Sequence, residues 1–180
     1  MDISIIILLL CLLQTLPLSS SKTLDTLRGT SLSVDKPSDK LVSENGEFSA
    51  GFFTVGDNAF CFSIWMTRPS VPTIVWMANR DDPVDGKGSK LSVLKDGKLH
   101  LTDSAGSVVW KPKTEALTIS EASNSQLRLM NTGNLVHYNF SSVAICQSFD
   151  SSTDTLLPQQ LLTFVTSLIS NRGQGLYSSG

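Results

Sequence analysis

Three stretches of this chain carry one pattern of alternating apolar and polar positions folded about a tight turn. Leu127–Tyr138 reads Leu-Arg-Leu-Met-Asn-Thr-Gly-Asn-Leu-Val-His-Tyr. Its two strand-length arms flank an Asn/Gly cluster that tolerates the positive φ a hairpin turn demands. Past the turn, a two-residue period puts Asn134, Val136 and Tyr138 on one face and Leu135 and His137 on the other. Leu91–Thr102 repeats the scheme around Asp96-Gly97, and Leu41–Phe52 repeats it around Asn45-Gly46. Three versions of one hairpin predict a repeat architecture, in which each unit completes a core that none closes alone. Their uneven spacing points to three unequal leaves rather than a regular solenoid.

The rest of the chain reads the same way. Ser31–Ser33 and Lys40–Val42 are short β candidates, and Phe48–Val55 and Ala59–Thr67 are longer ones separated by Gly56-Asp57-Asn58. Ala59–Met66 holds aromatics too densely to be solvated on both sides. Pro69 and Pro72 break the chain before the strand Thr73–Ala78, and Ser107–Trp110 supplies another. No convincing amphipathic helix precedes Leu161. The expected class is all-β, with turn signals spaced as in a barrel, prism or sandwich.

Composition narrows the picture without changing it. The 180 residues allow one domain and a fragment of another, and 41% hydrophobic content suffices for a core. A net charge of −2, with no basic patch and no long acidic run, argues against a nucleic-acid partner and against charge-driven disorder. Ile3–Leu18 is apolar but short and early for a membrane span, and Ser19 and Ser21 offer small residues at the positions a signal peptidase reads. Met1–Ser21 is therefore read as a cleaved secretory signal, although its start carries Asp2 and no Lys or Arg. An uncleaved anchor is the alternative, and only that would hold the chain at a membrane. The expected location is secreted, extracellular.

Cys11 leaves with the signal, so Cys61 and Cys146 remain in an oxidising compartment, as a disulfide pair or as buried free thiols. His100 and His137 are the chain's two histidines, and both fall on expected strands without a nucleophile or metal-ligand spacing beside them. Gly86-Lys87-Gly88 and Gly173-Gln174-Gly175 lack the strand-to-helix setting of a phosphate loop and read as turns. The sequence suggests no enzyme, no cofactor and no metal. Asn139-Phe140-Ser141 is an N-glycosylation sequon directly after Tyr138, where a glycan would crowd the Asn134–Tyr138 face.

Three segments carry a family resemblance. Val75-Trp76-Met77-Ala78-Asn79-Arg80-Asp81-Asp82-Pro83-Val84 resembles the "VWxANRxxPV" segment of the bulb-type lectin domain in plant S-domain (G-type lectin) receptor kinases. Leu127–Tyr138 resembles that family's "LxLxxxGNLVxY" segment, and Gln147–Asp150 with Thr153–Pro158 resembles its "WQSFDxPTDTLLPGQ" segment. Together they cover most of Leu24–Pro158 in the family's order. The resemblance implies a β-prism II fold: three antiparallel leaves about a pseudo-threefold axis. It also implies a division into a signal peptide (1–21), a lectin domain (22–153) and the truncated start of a second lobe or a tail (154–180). The apolar stretch Leu161–Ile169 would then lack its partner lobe and favour self-association.

In mannose-binding members each leaf can carry Gln-x-Asp-x-Asn-x-Val-x-Tyr, whose polar side chains take sugar hydroxyls while Val lies under the ring. On the third hairpin this pattern falls on Met130, Thr132, Asn134, Val136 and Tyr138, of which the last three match. On the second it falls on Leu94, Asp96, Lys98, His100 and Thr102, where Asp96 alone matches. On the first it falls on Ser43, Asn45, Glu47, Ser49 and Gly51, and none matches. Asn134, Val136, Tyr138 and Asp96 are the candidate carbohydrate contacts. At about 1 kcal/mol net per hydrogen bond, losing the Gln and the Asp leaves a degenerate site.

Other departures are Cys146, which stands where the family has Trp, and Gln159, which stands where it has Gly. Because the Trp of each leaf packs near the axis, Cys146 implies either a void or a new disulfide to Cys61. Two functions follow: a mannose-type glycan-binding module, or a protein-interaction lobe that pairs with S-domain receptor ectodomains as a soluble modulator or a relic.

Overall fold

The computed structural model describes residues 23–68, 70–113, 125–151, 153 and 155–161. The signal assigned to 1–21 and nearly all of the tail lie outside the described residues. The amino-terminal segment gives three short strands, β1 (Thr23–Leu24), β2 (Thr26–Leu27) and β3 (Ser31–Ser33), and each joins a different sheet. β4 (Lys40–Val42), β5 (Phe48–Gly56), β6 (Ala59–Met66) and β7 (Thr73–Met77) form the first leaf, with β8 (Val84–Asp85) paired to β6. β9 (Lys90–Val93), β10 (Leu99–Thr102) and β11 (Val108–Trp110) form the second with β3. β12 (Gln126–Leu129), β13 (Leu135–Tyr138) and β14 (Ala144–Gln147) form the third with β2. The pairing of β1 with β4 is parallel, and the other pairings are antiparallel. The three expected hairpins are thus the β4–β5, β9–β10 and β12–β13 pairs, each carrying a positive-φ turn glycine or an adjacent Asn.

The strand registers line up four residues across each leaf, one from each of four neighbouring strands. In the first leaf the row is Leu41, Ala50, Ile64 and Trp76. In the second it is Leu32, Leu91, Leu101 and Trp110. In the third it is Leu27, Leu127, His137 and Cys146. The first three members of each row are at most 2% exposed. These rows converge on one shared core, and each buried Leu or Ile contributes roughly 1.5–3 kcal/mol of apolar transfer. The third leaf breaks the pattern twice, with His137 opposite Cys146 where its sisters have an aliphatic residue opposite Trp.

Two contacts lock the third hairpin to the first leaf. Gly133, at φ +82°, lets its turn press so close that an added Cβ would sit 2.7 Å from Leu157 Cδ1 and 2.8 Å from Phe48 Cε1. The Asn131 side chain accepts the Asn45 backbone N–H at 2.9 Å, tying the two turns together. After β14 the chain makes a single 3-10 turn, Ser148–Asp150, which the sequence pattern did not foretell. Cys61 and Cys146 are free thiols. This corrects the pairing offered for them: Cys61 lies buried in β6 with its thiol donating to the Asn79 carbonyl at 3.5 Å, whereas Cys146 sits on the edge strand of another leaf.

Candidate functional site

The turn of the third hairpin closes through Gly133 N–H to the Met130 carbonyl (3.0 Å) and Met130 N–H to the Asn134 carbonyl (2.9 Å). Strand alternation then projects Met130, Thr132, Asn134, Val136 and Tyr138 into one cleft of about 340 Å³. Arg128 enters from β12, opposite Val136 in register, and its guanidinium lies 3.7 Å from the Glu44 carboxylate at the rim. Both partners are substantially exposed, so the pair shapes the mouth more than it stabilises the fold.

Val136, buried beneath the cleft, offers an apolar floor. The Tyr138 hydroxyl donates to Met130 Sδ at 3.8 Å, and a thioether is a weak acceptor. That hydroxyl can turn to a ligand at little cost. Asn134 is committed differently. Its Nδ2 donates to Gln147 Oε1 at 2.8 Å, and its Oδ1 accepts the Ser148 hydroxyl at 3.1 Å and the Phe149 N–H at 3.3 Å. Both acceptor lone pairs are used, so one N–H remains for any ligand. Ser148 Oγ in turn accepts the Leu135 N–H at 2.9 Å, and Gln147 Nε2 donates to Asp150 Oδ1 at 2.9 Å. Asn134 is first a clasp between β13 and the 3-10 turn.

The other two hairpins spend their motif positions internally. Asp96 accepts Lys98 Nζ at 2.7 Å and the Lys98 backbone N–H at 3.2 Å, and the Lys98 hydrogen bond holds its carboxyl below the usual range. It stays on the second leaf, away from the cleft. On the first leaf, Ser43 donates to Asn45 Oδ1 at 2.7 Å, and Asn45 Nδ2 donates to Glu47 Oε2 at 3.0 Å. The structure therefore gathers Asn134, Val136 and Tyr138 and leaves Asp96 apart. Sequence reasoning missed Arg128, Glu44 and Gln147. A two-residue count back along β12 reaches Arg128, but Gln147 enters through the Val136–Gln147 register, which no local pattern encodes.

Asn139, the sequon residue, is half-buried in the β13–β14 turn, with Oδ1 accepting the N–H groups of Ser141 (3.0 Å) and Val143 (2.9 Å). His137 is 2% exposed, and neither ring nitrogen has a hydrogen-bond partner among the described residues. Burial alone pushes its pKa down from 6.5 to about 4. Burial, helped by Asp81, pushes the Cys61 thiol up to about 12, and burial with Asp150 pushes Cys146 to about 11. Among the described residues no group of three or more His, Cys, Asp or Glu side chains is placed to hold a metal ion.

Comparison with known proteins agrees with this geometry. The D-mannose binding lectin family matches residues 73–178. The chain is 40% identical over 147 residues to the Zea mays protein ZmPK1, a receptor protein kinase by name, covering 78% of this chain and 18% of that one. It is 36% identical over 143 residues to the Arabidopsis thaliana G-type lectin S-receptor-like serine/threonine-protein kinase At4g03230, covering 77% and 16%. The chain thus spans less than a fifth of the length of these relatives. Among solved structures it resembles a monomeric monocot mannose-binding lectin from Gastrodia elata with a TM-score of 0.50 and 22% identity, over 69% of this chain and 96% of that one. The Japanese Marasmius oreades lectin also gives 0.50 and 22%, over 72% and 95%. These structural likenesses identify the fold as β-prism II.

Proposed function

This chain belongs to the D-mannose binding lectin family, and from that premise we propose that it is a secreted carbohydrate-binding module with one degenerate sugar site, the third-hairpin cleft. The observation that carries this reading is the joint presence of Asn134, Val136 and Tyr138 in one cleft of monosaccharide size. The Val136 side chain underlies the sugar ring, and the Tyr138 hydroxyl exchanges its thioether acceptor for a sugar hydroxyl. The remaining Asn134 N–H donates to a second one. Met130 and Thr132 replace the Gln and Asp of the full motif. Two lost bonds of roughly 1 kcal/mol each make binding about thirtyfold weaker than at an intact site.

A protein-interaction role with S-domain receptor ectodomains is the second reading. The internal pairing of Asp96 with Lys98 and of Asn45 with Glu47 favours it, because two leaves have no free motif groups for sugar. Titration with methyl α-mannoside by NMR separates the two. Saturable shifts in Val136 and Tyr138 that vanish in Tyr138→Ala support the lectin reading, and a silent titration of folded protein refutes it. Tyr138 is the right test residue. Asn134→Ala also releases Ser148 and Phe149, so its failure to bind would not isolate a sugar contact.

A further inference from the structure

The core-facing rows of the three leaves end on Trp76, Trp110 and Cys146. These equivalent positions border a second cleft, of about 400 Å³, which shares only Gln147 with the sugar candidate. Trp76 and Trp110 meet edge to face, with centroids 6.0 Å apart and planes at 78°. Trp76 is held in place by its Nε1–H donating to the Ser151 carbonyl at 2.9 Å. Leu127 and Leu135 continue the apolar wall. Where symmetry calls for a third indole, the short Cys146 side chain leaves the space open. The volume lies in the range of small-molecule sites, roughly 300–1,000 Å³, with an apolar wall and polar groups around it.

Charge gives the cleft a direction. Lys111 and Lys113 follow Trp110 along its rim, are exposed, and form no ion pair among the described residues. Asp150 also lines the cleft, but one of its oxygens is engaged by Gln147 Nε2. The rim is left with a net positive charge. The Cys146 thiol stays protonated at neutral pH and adds no charge to the inner wall, where the Asp150 carboxylate is the one anionic group that lines the cleft.

We propose that this axial cleft binds a small planar aromatic carboxylate. Its ring occupies the place that an indole fills in the other two leaves, and its carboxylate faces Lys111 and Lys113. The binding is non-covalent and does not touch Tyr138 or Val136 of the sugar cleft, with which this cleft shares Gln147.

The test is a titration of the full chain with indole-3-carboxylate and, separately, with uncharged indole, followed through the indole N–H signals of its three tryptophans. Trp76 and Trp110 should shift saturably with both probes, while Trp65, packed on Phe53 away from the cleft, stays still. Lys111→Gln/Lys113→Gln should weaken the carboxylate by about threefold, the scale of an exposed ion pair, and leave indole unchanged. Cys146→Trp should abolish both by filling the space, with Cys146→Phe as the smaller filler should the indole not fit. No saturable shift at Trp76 or Trp110 at millimolar probe overturns the proposal. So do undiminished binding in a folded filled variant and equal affinity of both probes in the wild type.

Discussion

Replacing His137 with Leu should stabilise this protein, and should do so more strongly the lower the pH. His137 occupies the row position that Ile64 and Leu101 hold in the other leaves, and it is as buried as they are. Its two ring nitrogens have no partner among the described residues. A buried polar group without a hydrogen bond costs about 1–3 kcal/mol, and Leu removes that cost while keeping the row filled. The pH term adds to it. The folded pKa is about 4 against an ordinary 6.5, and burial is the cause. As pH falls below 6.5 the unfolded chain takes up a proton that the folded chain refuses. Stability is therefore complete above that pH and is lost progressively towards pH 4. At roughly 1.4 kcal/mol per unit, the loss over that window is about 3 kcal/mol. Urea unfolding of wild type and His137→Leu, followed by tryptophan fluorescence at several pH values between 7.5 and 4.5, reads both terms. The variant should lead by about 1–3 kcal/mol at pH 7.5, with the gap widening as pH drops. Parallel pH profiles, or a variant less stable at pH 7.5, would refute the reasoning by showing that the imidazole has a partner.

Gln159 adopts φ +71°, a left-handed conformation that costs an L-residue about 1–2 kcal/mol. After the entropy glycine loses on folding, Gln159→Gly should gain about 0.5–1 kcal/mol in a thermal melt. Gly133→Ala should lose about 2–4 kcal/mol, because its Cβ would meet Leu157 Cδ1 and Phe48 Cε1 at a positive φ. Chemical denaturation measures it, and a neutral result would mean the turn can back away from the first leaf. Cys61, buried and with its pKa raised to about 12, should resist alkylation at pH 8 in the folded protein and react on unfolding, as read by mass spectrometry. Rapid native labelling of Cys61 would contradict its burial.

The hairpins were legible because their signals are local. Alternation in Leu127–Leu129 and Leu135–Tyr138, with Gly133 between them, specifies two strands and a turn without reference to the rest of the chain. The same alternation put Asn134, Val136 and Tyr138 on one face, and the cleft bears that out. What was not legible was who else arrives there. Arg128, Glu44 and Gln147 come from another strand, another leaf and the far side of a register. Asn134 looked like a free sugar contact until Ser148 and Phe149 occupied its carbonyl oxygen. Thr23–Leu27 carries no periodic signal, yet its two short strands join two separate sheets, because unpaired edges offered hydrogen bonds that outweighed weak local preference.

By itself, then, the sequence determined the three hairpins, the number of leaves and the face on which a ligand would be read. Periodicity and turn chemistry act over a few residues and need no partner. Only the tertiary structure decided which polar groups stay available, that the two cysteines remain apart, and that His137 and Cys146 interrupt one row of the core. Those outcomes depend on cross-strand register and on packing between leaves, where residues far apart in the chain compete for the same hydrogen bonds and the same space.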